Sequence, residues 1–185
     1  MDKQNLTGKD LLLAFLYSPG KNDEVNESII GRTRIMKMMF LFEKEVAKDF
    51  FDKNYTPSLF GFQGYLFGPY SKKIIDDLTF LQSIKMIKTS ETAIPLSTIS
   101  KAEDEHCNDE IDTEEYELEY YLSDLGEKYV RTKLWNNFSD SQKSILKTFK
   151  NNINSISLNK LLDYVYNKYK DYTNNSIIAD KHIRG

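Results

Sequence analysis

The chain of 185 residues is poor in the residues that mark several structural classes. Its single cysteine, Cys107, excludes an intramolecular disulfide, which suits a reducing cytoplasm. Four prolines and eight glycines are too few for a collagen-like or low-complexity chain. The apolar stretch 11–17 is far too short to cross a bilayer, and the polar first residues do not resemble a secretion signal. We therefore expect a soluble, cytoplasmic protein with no membrane partner.

The charged residues are unevenly distributed along the chain. Residues 101–126 carry one basic and 11 acidic side chains, whereas residues 127–185 carry 11 basic and five acidic ones. Residues 1–100 are nearly balanced, with 13 basic and 12 acidic side chains. Because proteins that coat nucleic acid carry a basic excess on one face, the acidic stretch would have to lie away from any bound phosphates.

Hydrophobic periodicity predicts a mainly α protein with a small antiparallel β hairpin, an α+β fold. Helices are expected over 8–17, 33–50 and 71–83, the first two capped by Thr7 and Thr33. A strand at 86–89 is expected to pair with the alternating apolar and polar residues of 116–122. Three further helices are expected to begin after Ser123, Ser139 and Ser157.

This order of elements is typical of a winged helix-turn-helix, in which a hairpin follows a three-helix core. The predicted core spans 1–136 and carries a long acidic insertion in the wing at 94–115. A carboxy-terminal helical extension is expected over 137–176, followed by a frayed tail over 177–185. The fold serves both nucleic-acid and protein contacts, so by itself it does not decide the function.

Four short motifs, in this order, resemble the YwgA-like family of small prokaryotic proteins over about 11–176. They are Gly-Arg-Thr-Arg-Ile at 31–35, Phe-Gly-Pro-Tyr-Ser at 67–71, Tyr-Tyr-Leu-Ser at 120–123 and Tyr-Val-Tyr-Asn-Lys-Tyr at 164–169. The Gly-Pro-Tyr-Ser element is also similar to the Panacea antitoxin domains. The resemblance implies a winged-helix-like fold, a non-enzymatic role and links to mobile elements or toxin–antitoxin systems. The insertion at 94–115 and Lys170, where relatives tend to have proline, depart from that pattern.

The start of the third helix is one candidate DNA contact. Lys72, Lys73 and the Ser71 hydroxyl, together with free backbone N–H groups, would form an anion site suited to phosphate. The alternative is a solvated surface on which Lys72 pairs with Asp76 and Lys73 with Asp77, each four residues on.

A second basic cluster lies at the start of the second helix. Arg32, Arg34 and Lys37 would contact phosphates and orient a duplex without distinguishing its bases. The alternative is that they form the polar face of a mostly buried helix, with Arg32 or Arg34 in a structural ion pair.

Other candidate sites have weaker patterns. His106 and Cys107 are adjacent and lack the spaced pairs of structural zinc sites, so a loop without metal is favoured. Gly61, Gly64 and Gly68 do not follow the spacing of a dinucleotide-binding loop. No nucleophile, kinase or metalloprotease motif is present, and we expect neither enzymatic activity nor a cofactor. Four tyrosines on the last helix would stack on bases, or belong to the core or a dimer interface: Tyr164, Tyr166, Tyr169 and Tyr172.

Two functions from different classes follow. The first is a DNA-binding transcriptional regulator or accessory protein, expected as a homodimer, with its third helix in the major groove. The second is an antitoxin-like or adaptor module that masks a protein partner such as a toxin or a defence-system subunit. This second function depends on acidic residues that would attract a basic partner: Glu103, Asp104, Glu105, Asp109 and Glu110.

Overall fold

The described chain is mostly helical and carries a small antiparallel sheet, in agreement with the predicted α+β class. The computed structural model describes residues 6–51, 58–93, 116–174, 176–179 and 182. Its α-helices are α1 (Gly8–Tyr17), α2 (Arg32–Leu41), α3 (Ala47–Phe50), α4 (Lys72–Ser83), α5 (Asp124–Tyr129), α6 (Asp140–Ser155) and α7 (Leu158–Lys168). Its strands are β1 (Ile29–Ile30), β2 (Gln63–Tyr65), β3 (Gly68–Tyr70), β4 (Ile87–Ala93) and β5 (Tyr116–Leu122). None of the helices in these ranges is long and apolar enough to cross a bilayer.

Hydroxyl side chains begin five of the helices, because each accepts a hydrogen bond from an otherwise unpaired backbone N–H group. Thr7 caps α1 and forms a reciprocal capping box with Asp10. Ser139 and Gln142 form the same arrangement at α6. The remaining caps are Ser71 for α4, Ser123 for α5 and Ser157 for α7. The caps predicted at Thr7, Ser123, Ser139 and Ser157 are confirmed.

The second helix begins at Arg32 and not at the predicted cap Thr33. Gly31 precedes it with a φ of +89°, and the Gly31 N–H group donates to the carbonyl of Leu118 at 2.9 Å. The chain therefore passes from a strand directly into the helix, and a glycine makes this possible because it tolerates positive φ. The helix continues beyond α2 through a π-helical segment, Phe42–Val46, into α3.

Strand β5 lies at the centre of a three-stranded sheet of order β1-β5-β4. The predicted hairpin is confirmed, with Ile87 opposite Leu122 and the pairing extending to Ala93. Ile29 and Ile30, shortly before the second helix, form β1 and pair with Tyr120 and Glu119. Two residues are too few to show a strand period, so β1 becomes visible only through its partner.

A single cluster of buried side chains joins the amino-terminal and carboxy-terminal helices. Every residue from Ile35 to Phe42 is buried, as expected for an enclosed second helix. The ring of Phe15 on α1 packs edge to face on Phe42 at a centroid distance of 5.1 Å, and Phe149 of α6 lies 5.7 Å from Phe15. Since α6 and α7 also contribute Leu146 and Leu162, they form part of the same core.

Helix α5 packs through a glycine on the backbone directly before β4. Gly126 is buried, and a Cβ atom placed on it would lie 2.2 Å from the carbonyl oxygen of Met86. The preceding Leu125 is 53% exposed. The close approach of backbone to backbone leaves the larger side chain on the solvent side.

The Phe-Gly-Pro-Tyr-Ser motif at 67–71 contains a strand. Gly68–Tyr70 forms β3 and pairs with β2, so the turn lies at Leu66 and Phe67. The backbone at Gly64 lies close to that of Tyr172, because a Cβ atom on Gly64 would lie 3.1 Å from the carbonyl oxygen of Tyr172.

The tail packs on this small hairpin where the structure describes it, contrary to the predicted fraying over 177–185. The Ser176 hydroxyl and the Ile177 N–H group both donate to the carbonyl of Leu66, at 2.8 and 2.9 Å. Ile178 and His182 are buried, with 6% and 2% of their surfaces exposed. Scattered apolar residues in a polar tail gave no periodic signal of this docking.

Lys150 of α6 is fully buried, and its ammonium group joins three parts of the fold. Its Nζ donates to the carbonyl oxygens of Leu16 at 3.0 Å, Ser18 at 2.6 Å and Glu27 at 2.5 Å. The side chain therefore holds the end of α1 and the loop before β1 against α6. Burial lowers the pKa of Lys150 to about 7, and the nearby Glu27 carboxylate opposes that shift.

Candidate nucleic-acid interface

Two of the predicted phosphate contacts, Ser71 and Lys37, lie inside the protein. Ser71 is 1% exposed; its hydroxyl donates to the carbonyl of Phe60 at 2.6 Å and accepts from the N–H group of Ile74. Lys37 is 3% exposed, and its Nζ donates to the carbonyl of Phe67 at 2.5 Å. The prediction of a phosphate contact is wrong for both residues, because their polar atoms are used within the fold.

Arg34 is used at the end of another helix. Its Nη1 donates to the carbonyl oxygens of Ile153 and Ile156, at 2.6 and 2.8 Å, at the end of α6. These carbonyls have no partner within the helix, and a cation there also complements the helix dipole. Burial lowers the pKa of Arg34, and Glu117 opposes this effect. The geometry corresponds to the structural alternative, in which Arg34 stabilises the fold.

Arg32, the first residue of α2, is exposed. It lies close enough to Tyr120 to act on that phenol electrostatically: burial raises the pKa of Tyr120, and the Arg32 cation counteracts the increase. Of the three basic residues predicted in this cluster, Arg32 alone presents its side chain at the surface.

Lys72 and Lys73 lie in the first turn of α4 and are exposed. Lys72 is 81% exposed and lies 3.6 Å from Asp76, which is 62% exposed, so the predicted pair forms. An ion pair this open to water contributes little and can be exchanged for another anion. Lys73 does not pair with Asp77; its Nζ donates to the carbonyl of Leu59 at 2.6 Å.

Asp77 pairs with a lysine that the sequence did not indicate. Lys9 of α1 lies 2.9 Å from the Asp77 carboxylate, which is 6% exposed, and 5.3 Å from the ring centroid of Phe80. Lys9 therefore neutralises the carboxylate that would have repelled a phosphate beside α4. Sequence spacing suggested only partners within one helix, and no local signal connects α1 with α4.

The outward side of α4 forms one continuous stripe, which we name the α4 face. It consists of the exposed residues of the helix: Lys72, Lys73, Asp76, Thr79, Phe80 and Ser83. The opposite side buries Ile74, Leu78 and Leu81 in the core. Lys9 adjoins the α4 face, and Lys85 follows directly after the helix in an exposed turn with a φ of +61°.

One carboxylate of the β4–β5 hairpin, that of Glu119, is hydrogen-bonded within the protein. Glu119 accepts hydrogen bonds from the hydroxyls of Ser28, Ser90 and Thr92. The hydrogen bond from Ser28 is the largest cause of the lowered pKa of Glu119, and burial opposes it. These contacts hold β5 to β4 and to the residue before β1, and they offer no cation to a phosphate.

The tyrosines of the last helix meet a carboxylate in the π-helical segment. Glu45 Oε1 accepts from the hydroxyls of Tyr164 and Tyr169, at 2.9 and 2.7 Å, and from Lys168 at 2.9 Å. Burial alone would raise the pKa of Glu45, but these three donors lower it. Tyr166 is fully buried. The arrangement joins α7 to α2 and agrees with the core alternative for Tyr166.

The acidic partner site predicted at Glu103, Asp104, Glu105, Asp109 and Glu110 lies outside the described residues, as do His106 and Cys107. Within the described ranges, no three His, Cys, Asp or Glu side chains are grouped so that they could hold a metal ion.

No protein-family model, curated protein or solved structure matches the chain. A function has therefore to be inferred from the α4 face and the elements that present it.

Proposed function

We propose that the protein is a winged-helix DNA-binding protein, a transcriptional regulator or accessory factor, that binds duplex DNA through the α4 face. The order of its elements supports this fold. Helices α1, α2 and α4 precede the hairpin β4–β5, and β1 lies between the first two helices in sequence. Strand β1 pairs with β5 as the third strand of the sheet. In this arrangement α4 is the recognition helix and β4–β5 is the wing.

The lysines around α4 are the observation that carries the proposal. Lys72 and Lys73 head the α4 face, Lys9 flanks it and Lys85 follows it; against Asp76 and Asp77 these four lysines leave a local net charge of +2 in a chain with a net charge of −3. Lys9 also removes the effect of Asp77 by pairing with it. Such a local excess is the electrostatic pattern of a phosphate-binding surface, since the sugar–phosphate backbone supplies most of the affinity for DNA.

The β4–β5 wing contributes to the shape of the proposed DNA-binding surface more than to its positive charge. Glu119 is surrounded by hydroxyl donors, and Glu117 lies near the partly buried Arg34. In the part of the hairpin that the structure describes, the exposed Lys88 is offset by the exposed Glu91. We therefore assign the phosphate contacts to α4 and its flanks, and not to the hairpin.

Charge reversal of the two lysines at the head of α4 tests this proposal. The double variant Lys72→Glu, Lys73→Glu is expected to bind a duplex of the gene's own upstream DNA at least tenfold more weakly than the wild type. If four lysines contact phosphates, the wild-type affinity should fall about a hundredfold between roughly 50 and 200 mM salt. A gel-shift or fluorescence-anisotropy titration measures both quantities.

The matched control is Lys160→Glu, Lys170→Glu, which makes the same change in net charge at two exposed lysines on and just after α7. This control should retain wild-type binding apart from a small general electrostatic effect. Absence of binding by the wild type to upstream DNA at low salt, or an equal loss in both double variants, would contradict the assignment of α4.

A protein partner is the second candidate, and the apolar part of the α4 face favours it. Phe80 is 47% exposed and Ile84, just beyond the helix, is 38% exposed. An antitoxin-like or adaptor module would bury these side chains against its target. In that case Phe80→Ser would abolish co-purification of a stoichiometric partner protein, whereas Lys160→Glu would leave it intact. Co-purification that survives Phe80→Ser would exclude this surface as the partner site.

A further inference from the structure

The α4 face carries one negative charge near its centre. If α4 lies in a groove of DNA, this charge is unexpected, because the DNA phosphates are also negative. Among the six exposed residues of α4, Asp76 alone is acidic. Its carboxylate is 62% exposed and, within the described ranges, its ion pair is the weak one with Lys72, at 3.6 Å. Asp77, by contrast, is buried beside Lys9 and does not point to solvent. The inference below rests on the proposed function.

Asp76 lies where a recognition helix faces bases and not the backbone. It is five residues into α4, and on the same stripe as Lys72, Thr79 and Phe80. When such a helix lies in the major groove, side chains of its first turns meet base edges, while cations that flank them meet phosphates. A carboxylate in the stripe would therefore be kept away from the phosphates that the flanking lysines contact.

The major groove offers few donors to a carboxylate. Guanine presents two acceptors and thymine presents an acceptor with a methyl group, so both repel or ignore a negative charge. Adenine presents a donor beside an acceptor, N7, which would oppose the second carboxylate oxygen. Cytosine presents its N4 amino group as a donor with no neighbouring acceptor on the same base, and it is the base that aspartate and glutamate select.

We propose that Asp76 is a specificity-determining residue that accepts a hydrogen bond from the N4 amino group of a cytosine when the α4 face lies in the major groove of duplex DNA. Lys72, one helical turn earlier, lies about 6 Å along the helix axis, or roughly two base-pair steps, from Asp76. Breaking the exposed ion pair between them costs little, because water already screens it. Lys72 and Asp76 would then contact neighbouring positions of one DNA site, Lys72 as the cation and Asp76 as the anion.

The experiment is a selection from random duplexes with the wild type and with Asp76→Ala, followed by titration of the selected duplex. Wild-type sequences should share a cytosine at one position, and Asp76→Ala should lose that preference while still binding DNA. Replacing this cytosine by 2-pyrimidinone, which lacks only the amino group, should weaken wild-type binding about tenfold and leave the variant unchanged. Asp140→Ala, an exposed carboxylate on α6, is the matched control and should behave as the wild type.

The outcomes separate this inference from the function on which it rests. If the wild type binds no duplex, both the proposed function and the role of Asp76 are wrong. If the wild type binds but selects no cytosine, or if the analogue weakens the wild type and Asp76→Ala equally, DNA binding stands and the role of Asp76 is overturned. Circular dichroism of Asp76→Ala, a substitution at an exposed position, verifies that the variant is folded.

Discussion

Replacing Gly126 by alanine is expected to lower the free energy of unfolding by about 3 kcal/mol, as for a severe case of overpacking. The new Cβ atom would lie 2.2 Å from the carbonyl oxygen of Met86, which is a backbone atom that cannot rotate away. The same junction contains the hydrogen bonds from the Ser123 N–H group to Met86, at 3.0 Å, and from the Ser123 hydroxyl to Lys85, at 2.6 Å. Urea denaturation followed by circular dichroism measures the loss.

Gly61→Ala is the matched control for Gly126→Ala. A Cβ atom at Gly61 would meet nothing within 4 Å, so this substitution adds only the strain of its φ of +59°. That strain should cost about 1 kcal/mol. Equal losses in the two variants would mean that the contact between α5 and the start of β4 is not as close as the structure indicates.

Lys150→Met is expected to lower the free energy of unfolding at pH 7 by about 3 kcal/mol. The substitution leaves the carbonyl oxygens of Leu16, Ser18 and Glu27 without their donor, and each buried unpaired group is costly. Relief from burying an ammonium group offsets part of this loss. Lys147→Met, on the same helix, is the control, because Lys147 is 48% exposed and pairs only with Asp23. It should change the stability by less than about 1 kcal/mol.

The same lysine should make stability depend on pH. The pKa of Lys150 is about 7 in the folded protein, whereas an unfolded lysine has a pKa of about 10.4. Between these values the unfolded chain binds a proton that the folded chain does not, so stability should rise with pH from about 7 to about 10. The slope from this group is at most about 1.4 kcal/mol per pH unit, and it vanishes below pH 7. A stability profile of Lys150→Met that keeps the wild-type slope would assign the effect to another group.

The regular elements were predictable because their signals are local. The alternation of 116–122 placed β5, and a hydroxyl followed three residues later by a polar side chain placed the caps at Thr7 and Ser139. Strand β1 was missed because two isoleucines fit a helix entry equally well. The order of the predicted helices and strands therefore survived, although the start of α2 did not.

The buried lysines were less predictable, although each left a trace in the sequence. Lys150 lies on the apolar stripe of α6 together with Leu146 and Ile153, and Lys37 lies inside the apolar run of α2. A cation on a buried stripe indicates an internal acceptor, but the acceptors here are backbone carbonyls, which any residue supplies. The identity of a residue therefore does not show whether its carbonyl accepts a hydrogen bond from a buried lysine. For the same reason the contact of Lys73 with the carbonyl of Leu59 replaced the predicted pair with Asp77.

The sequence predicted where the candidate site lies, at the start of α4, but not all of the residues that form it. Lys72 and Lys73 were placed at the exposed start of α4, as the glycine-proline motif before them indicated. Lys9 was missed because it comes from another helix, and Lys37 and Ser71 were included because charge and polarity were taken as signs of exposure. The contacts between distant segments, and not the local pattern, decide which cations remain at the surface.

The hairpin β2–β3 has a consequence for synthesis of the chain on the ribosome. Its carbonyls at Phe67 and Leu66 receive donors from Lys37, made earlier, and from Ser176 and Ile177, made more than a hundred residues later. At translation rates of roughly 5 to 20 residues per second, the last donors arrive roughly 5 to 20 s after the hairpin leaves the peptidyl-transferase centre. During that interval the donors from Ser176 and Ile177 are missing, so a stalled or truncated product would hold the β2–β3 hairpin, which leads directly into α4, less firmly.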